Sequence, residues 1–398
     1  MEPAEIIYKE IVSEDAGIWY ISDETGSKVL IKMPSTSIKA IIKKCKVQLL
    51  FGKEIRNNIC YFHIGFNVFD FSQTPLSLTS VCKNEFEQKA IFEIVKLNKI
   101  YVEIFNEFDF CVAKSIITLN FDEKEKLKDF INNDNLYHTD NEINSIEAEL
   151  SLNNFQYSID NKIKIPNVYI IDTLIINIIF SEIMIMNSVF IGYNENASVI
   201  INNNNEGELL ENTVWAPLQS VFDINIYKNP QICKNGNYRE LTDILAFYQY
   251  GTFLIETKSL SLNFIVDDDI KNHVDKIQKH IKKAVNQLIG AKKVIERQEK
   301  VFDLGSKKEI PIIHSNNPPH CLILVENIYP FGDWTEIVEI IYQKIITENV
   351  FLHILDLTEY IKLIKYSKGK IELIDYNLMG RCKVFMNTKN IFIKSKQG

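Results

Sequence analysis

No Cys-x-x-Cys pair occurs anywhere in this chain. Its seven cysteines (Cys45, Cys60, Cys82, Cys111, Cys233, Cys321 and Cys382) are scattered through 398 residues. An odd, dispersed set excludes a zinc site built on paired cysteines and a disulfide framework, and fits a reducing cytoplasm. Walker, dinucleotide-binding and Ser-His-Asp patterns are missing too, and so is any internal repeat. No long apolar run is uninterrupted. The nearest approach, Val168 to Ile191, is broken by Asp172, Asn177, Glu182 and Asn187. A charge at the centre of a spanning helix costs about 2.5–3.5 kcal/mol, so this segment is expected to be buried core. The first residues, MEPAEIIYKE, are acidic and hold no long apolar run, which is not the make-up of a signal peptide. Nor is positive charge in excess, since the formal net charge is −8. That average does not exclude a nucleic-acid partner, because binding depends on local patches.

What remains is an ordinary globular composition, 46% hydrophobic and 24% charged, long enough to bury large cores without disulfides. At roughly 100–200 residues per domain, two domains are expected. The first, residues 1–198, reads as α+β: β-prone runs around Gly17 to Met33, a helix over Asn84 to Leu97, and strands over Lys99 to Phe105 and Phe110 to Leu119. A polar stretch from about Asn132 to Lys162 carries little periodicity and reads as a loop, an insertion or a linker. The asparagine run Asn202 to Asn205 marks the boundary, since asparagine favours turns. Residues 199–398 then read as α/β, a mixed sheet flanked by helices. The pattern has helices over Glu208 to Ser220, Ile270 to Glu299, Trp334 to Thr347 and Thr358 to Tyr366. Its strands lie over Leu241 to Tyr248, Thr252 to Ser259, Pro319 to Glu326 and Phe351 to Asp356.

The chemistry concentrates in Arg239 to Lys258. If Gln249-Tyr250 is a two-residue turn, Tyr248 pairs with Gly251 and, counting outward, Asp243 falls opposite Glu256. Directly opposed residues share a face, with Cβ atoms about 4.5–5.5 Å apart. Lys258 lies two residues beyond Glu256, on that same face. A slip of one residue would break the match. Two carboxylates held so close repel unless a positive charge lies between them. A hard divalent cation with oxygen ligands supplies it, magnesium typically using one or two carboxylates. Such an ion polarises a phosphate and acidifies a bound water, and a neighbouring lysine stabilises developing charge. Glu240, three residues before Asp243, falls on the opposite face of a regular strand, so it is expected to neighbour the site or to pair with Arg239.

The segment RELTDILAFYQYGTFLIETKSLSL resembles the core of the PD-(D/E)XK nuclease superfamily, in which an acid begins one strand and E-x-K ends the next. The resemblance spans about Glu206 to Lys394 and implies a restriction-endonuclease-like fold. It makes Asp243 the first metal-binding acid and Glu256 and Lys258 the E-x-K, with Thr257 joining Asp243 and Glu256 in the metal set. A glutamate on the preceding helix corresponds to Glu211 in Gly207-Glu208-Leu209-Leu210-Glu211, and the Gln-x-x-Gly of some branches to Gln287-Leu288-Ile289-Gly290. No proline precedes Asp243; Thr242 stands there. The implied activity is Mg2+- or Mn2+-dependent hydrolysis of phosphodiester bonds, in DNA before RNA, and a role in bacterial defence. Two other classes stay open: a nuclease-like nucleic-acid-binding or assembly protein without activity, and a protein-interaction factor with an accidental motif. The resemblance says nothing of residues 1–198 and leaves room for a homo-oligomer.

Downstream, Ile270, Val274, Ile277, Ile281, Ala284, Leu288, Ala291 and Ile295 form an apolar stripe at helical spacing. Asp267 or Asp268 is placed to cap it. Gln287 borders the stripe, within reach of the sheet. Gly290 costs about 1 kcal/mol against alanine in a helix, which suggests close packing or a mild kink. Between Lys271 and Lys300 nine basic side chains face three acidic ones, a local +6. Lys279, Lys282 and Lys283 are the candidates for phosphate contacts. His273 and His280, seven residues apart, read as surface histidines.

Overall fold

The computed structural model describes residues 3–24, 26–56, 59–71, 74–82, 85–97, 99–131, 145–160, 169–191, 196–201, 205–259, 270–313, 315 and 317–395. The chain divides into two compact units, Met1–Met186 and Asn187–Gly398. The boundary therefore precedes the asparagine run, of which residues 202–204 lie outside the described residues, as do Asp267 and Asp268.

The first unit contains helix α1 (Pro3–Ser13), strands β1 (Gly17–Asp23) and β2 (Gly26–Lys32), α2 (Ser35–Ile42), β3 (Val47–Arg56), β4 (Ile59–Val68), β5 (Leu76–Val81), α3 (Glu85–Lys96), β6 (Ile100–Phe105), β7 (Cys111–Ile117), α4 (Phe121–Ile131), α5 (Ser145–Ile159), β8 (Asp172–Ile178) and β9 (Phe180–Ile185). They form a mixed sheet β1-β2-β6-β7-β9 and an antiparallel sheet β5-β4-β3-β8. The expected loop over Asn132 to Lys162 thus contains a helix, α5. It packs on β3 and β4, where Phe155 stacks on His63 at 5.0 Å between ring centroids. Gly52 makes room for it: a Cβ there would stand 2.3 Å from the Phe155 ring. Ser151 Oγ donates to Glu54 at 2.5 Å and lies 2.8 Å from His63 Nε2. The serine sits between acid and histidine, and His63 is fully buried, so this cluster docks a helix and is no catalytic triad.

The interrupted apolar segment is not the buried core expected of it. It supplies β8 and β9, each at the edge of a different sheet, and leaves Ile170, Ile179 and Ile191 more than three-quarters exposed. These three isoleucines lie outside the strands, in the connections on either side of them. No described helix is long and apolar enough to cross a membrane.

The second unit is α/β, with mixed sheets flanked by helices. It runs β10 (Ser188–Phe190), β11 (Ala197–Val199), α6 (Glu206–Phe222), β12 (Ile226–Lys228), β13 (Gln231–Lys234), β14 (Asn237–Glu240), β15 (Ile244–Tyr248), β16 (Gly251–Lys258), α7 (Ile270–Glu296), β17 (Val301–Phe302), β18 (His320–Val325), α8 (Thr335–Glu348), β19 (Phe351–Asp356), α9 (Leu357–Ser367) and α10 (Ile371–Thr388). The central sheet has the order β12-β15-β16-β18-β19. Its first three strands are antiparallel, whereas β16, β18 and β19 run parallel, with α7 and α8 in the crossovers. One face carries Leu245, Phe247, Leu254, Cys321, Ile323, Leu352 and Ile354 against the apolar stripe of α7 and against Ile337 and Ile341 of α8. On the other face Phe253 meets Phe222 of α6, and a polar network joins three strands to α10. There His320 Nε2 lies 2.7 Å from Asp375, His320 Nδ1 lies 3.3 Å from His353, and the Tyr248 hydroxyl donates to Asp375.

Candidate functional site: a carboxylate–lysine cluster at the end of the sheet

The hairpin adopts the register read from the sequence. Tyr248 pairs with Gly251 and Ile244 with Ile255, so the count carries Asp243 opposite Glu256 just beyond the ladder. The two carboxylates and Lys258 lie on the α7 face, at the end where parallel strands β16, β18 and β19 terminate. Ligands of open α/β sheets bind at the carboxyl ends of such strands.

Each side chain is held by identifiable partners. Thr242 Oγ1 donates to the Ile255 carbonyl at 2.8 Å, fixing the chain as it enters β15. Asp243 Oδ2 accepts from the Thr257 backbone N–H at 2.6 Å and from its hydroxyl at 2.9 Å. Thr257 therefore positions Asp243 through its N–H and hydroxyl. Lys258 Nζ donates to Glu256 Oε2 at 2.6 Å and lies 4.0 Å from Asp243 Oδ2. Glu256 is 0% exposed, and its Oε1 has no hydrogen-bond partner. Burial, followed by the charge of Asp243, raises the affinity of Glu256 for a proton, while Lys258 and a hydrogen bond from Thr242 oppose both.

The predicted Glu211 reaches the same cluster from α6. Burial and then the negative charge of Asp243 push its carboxyl above the usual range, against the pull of Lys228, a hydrogen bond with Asn229 and the charge of Lys258. Asn229 follows β12 in a left-handed conformation (φ 48°) and its N–H donates to the Asp243 carbonyl at 2.7 Å. Lys228 donates to Asn212 Oδ1 at 2.5 Å.

Glu240 neighbours the site, one of the two places read for it from the sequence. A continuous strand would place it on the far face, but the strand is not continuous. β14 belongs to a separate small sheet, β14-β13-β17, and Leu241 to Asp243 break out of any ladder before β15 begins. Across that break Glu240 comes close enough to feel Asp243, to which its carboxyl donates a hydrogen bond when protonated. Crowding by neighbouring protein, that hydrogen bond, and the charges of Asp243, Glu211 and Glu256 raise it to about 7, although much of the side chain reaches solvent. The signal was available in Asn235-Gly236, the two-residue turn of the β13–β14 hairpin. Both residues have positive φ (52° and 81°), the backbone of the tight hairpin turn that asparagine and glycine favour.

The helix contributes unevenly. Gln287 is half-buried on α7, and its Oε1 is a second buried oxygen without a partner. Gly290 faces open space with nothing near a built Cβ, so close packing does not explain it. His273 is buried edge-on to Tyr329 at 5.3 Å, contrary to its surface reading. His280 is exposed, but desolvation and then the charges of Lys258, Lys283 and Lys279 lower its proton affinity, so it borders the site. Of the three candidate phosphate contacts, Lys279 and Lys283 are exposed, whereas Lys282 pairs with Glu336 of α8 at 2.6 Å. Lys292 and Lys293 are tied to Glu296 and Glu348 as well. The free positive surface is narrower than the sequence count.

Among the described residues no group of three or more histidine, cysteine, aspartate or glutamate side chains is gathered to hold a metal ion. Magnesium needs less than that, since one or two carboxylates with water and substrate oxygens suffice. Asp243 and Glu256 fit this requirement: both are oxygen donors, they repel one another, and Glu256 Oε1 is buried with nothing to accept from. No family model matches the chain, and neither the curated proteins nor the solved structures contain a match to it.

Proposed function

We propose that the second unit is a Mg2+- or Mn2+-dependent nuclease that hydrolyses phosphodiester bonds, with DNA as the preferred substrate. The observation that carries this reading is the meeting of Asp243, Glu256 and Lys258 on one face at the carboxyl end of β16, with one oxygen of the buried Glu256 unpartnered. Asp243 and Glu256 would hold the cation, with Thr257 as the third member of the set. The bound cation supplies Lewis acidity toward a phosphate oxygen and toward water.

The protein's own groups account for the rest. Thr257 fixes one Asp243 oxygen and leaves the other for the site. Lys258 now donates to Glu256. Once Glu256 has another positive partner, the ammonium is free to turn to a phosphate oxygen, where its charge is worth most as the pentacovalent phosphorane gains negative charge. Glu211, bonded to Asn229, sets the negative potential of the cleft from the α6 side. Gln287 offers an unused carbonyl oxygen to a water. Lys279 and Lys283 approach the backbone of a bound strand from α7.

The test is cleavage of supercoiled plasmid and of single-stranded DNA and RNA by the full chain, in chelator, Mg2+ and Mn2+. Metal-dependent cleavage that Glu256→Gln and Lys258→Ala abolish supports the reading. DNA binding without cleavage under every condition replaces it with a nuclease-like binding protein, and neither binding nor cleavage returns the cluster to a structural role.

A further inference from the structure

The α7 face of the central sheet has a second end. Glu256, Leu254 and Thr252 alternate along that face of β16, so Thr252 stands two steps below the carboxylate–lysine cluster, where β18 and β19 begin. A cavity of about 300 Å3 lies there, bounded on one side by the last turn of α7. Its size is at the lower end of the ~300–1,000 Å3 typical of ligand pockets. Leu254, Ile295, Pro318 and Pro319 supply apolar walls. Ser315 Oγ and Asn317 Nδ2 both donate to the Tyr250 carbonyl, at 2.9 and 2.8 Å, which pins the loop before β18 to the turn of the β15–β16 hairpin.

The cavity also meets one buried charge. The Lys292 side chain is 8% exposed, whereas its partner Glu296 is 55% exposed. Among the described residues Glu296 Oε1, at 2.8 Å, is the one partner of the ammonium. A lysine ammonium has three N–H donors, and a buried charge is costly unless it is paired and hydrogen-bonded. An ammonium so placed, held only by a carboxylate that water already reaches, is ready to take an anion from the cavity. Lys292 carries a single positive charge, so a monoanion in the place of Glu296 restores neutrality. A phosphate monoester, at about −1.5 to −2, overshoots it.

We propose that this cavity binds a small organic monoanion, a carboxylate on an apolar body. The carboxylate replaces Glu296 on Lys292, and the body lies on Leu254, Ile295 and the two prolines. This site is separate from Asp243, Glu256 and Lys258 and does not depend on their role.

The experiment is calorimetric titration of the full chain with three probes that share a naphthalene body and differ in the head group: naphthoate, naphthyl phosphate and naphthalenemethanol. The wild type is compared with Lys292→Met, which keeps an apolar stem and loses the charge, and with Glu296→Gln. Naphthoate should bind the wild type tightest of the three. It should bind about tenfold or more weakly to Lys292→Met, the scale of a lost hydrogen bond to a charged group. It should bind up to about fivefold more tightly to Glu296→Gln, the scale of an ion pair removed from competition. Glu296 is exposed, so the glutamine variant keeps the fold and decides the question if the methionine variant does not fold. No uptake of naphthoate at millimolar concentration leaves the cavity to water and overturns the proposal. So does naphthoate binding no tighter than that of the alcohol or the phosphate, and so does binding that Lys292→Met leaves unchanged or Glu296→Gln weakens.

Discussion

At the scale of single residues, Lys258 matters twice. As the nearest cation to a buried carboxylate it stabilises the ground state, and as a charge beside the reacting phosphate it would stabilise the transition state. Lys258→Ala is expected to lower cleavage by roughly a hundred- to a thousandfold, the scale for a lost oxyanion donor. It should also lower the melting point in chelator, because Glu256 Oε2 loses a 2.6 Å partner and an unsatisfied buried acceptor costs about 1–3 kcal/mol. Added Mg2+ should restore much of that stability. Wild-type rates in the mutant would remove Lys258 from the chemistry. Glu256→Gln has the opposite sign in chelator: it removes a charge from a cluster in which Asp243, Glu211 and Glu240 already repel. Its melting point should rise or hold, and Mg2+ should shift it less than the wild type. The wild type gains about 2.7 kcal/mol when free Mg2+ reaches a hundred times Kd. Four melts, each protein with chelator and with Mg2+, decide this, and an equal shift in both would place the ion elsewhere.

At the scale of elements, α7 divides its length between packing and charge. Its buried stripe joins the core under the sheet, while its lysines separate into those held by acids and those left exposed. Lys279→Ala and Lys283→Ala should each weaken DNA binding and reduce the salt slope by about 0.9 per lost phosphate contact. Lys282→Ala should do little, because Glu336 already engages that ammonium at 2.6 Å. Equal losses at all three positions would mean that the pair with Glu336 opens on binding. This division was not legible beforehand, since charge counting along a helix cannot see which acid a neighbouring helix presents. The hairpin was legible almost to the residue. Strands alternate with a period of two and a two-residue turn fixes the pairing, so Asp243 opposite Glu256 followed from counting. What counting missed was the end of the ladder: β15 begins at Ile244 rather than Leu241, and Glu240 belongs to the separate strand β14.

At the scale of the whole molecule, the second unit should fold alone. It has its own core and its own sheets. A chain starting at Asn187 should be monodisperse and melt cooperatively; aggregation at every temperature would show that the cut removes part of its core. The full chain should also be acid-sensitive from the histidines buried in both units. Burial lowers His63 to about 3 and His273 to about 4, and takes His353 well below its usual value. Between those values and about 6.5, the ordinary value for histidine, the unfolded chain binds protons that the folded chain refuses. The histidine contribution to unfolding free energy therefore rises with pH in that window and falls as pH drops through it, outweighing the opposite contribution of the raised carboxyls of Glu211, Glu240 and Glu256. Melting points measured from pH 7 to pH 4 should decline. A flat profile with chelator present would mean that the imidazoles gain compensating partners on protonation.

The sequence by itself determined the local pattern: which segments alternate as strands, which repeat as helices, and how the hairpin of Tyr248 and Gly251 aligns its acids and its lysine. Those properties depend on neighbours a few residues away, and the chain carries them in order. Only the tertiary structure decided which strands lie at an edge and that Ile170 and Ile179, in the connections beside them, stay exposed despite their apolar surroundings. It also decided which lysines have acidic partners on another helix and which carboxylates gather at Asp243. Glu211 and Glu240 reach that point from α6 and from the end of β14. Charges add through space and not along the chain, so the electrostatics of the site belongs to the fold.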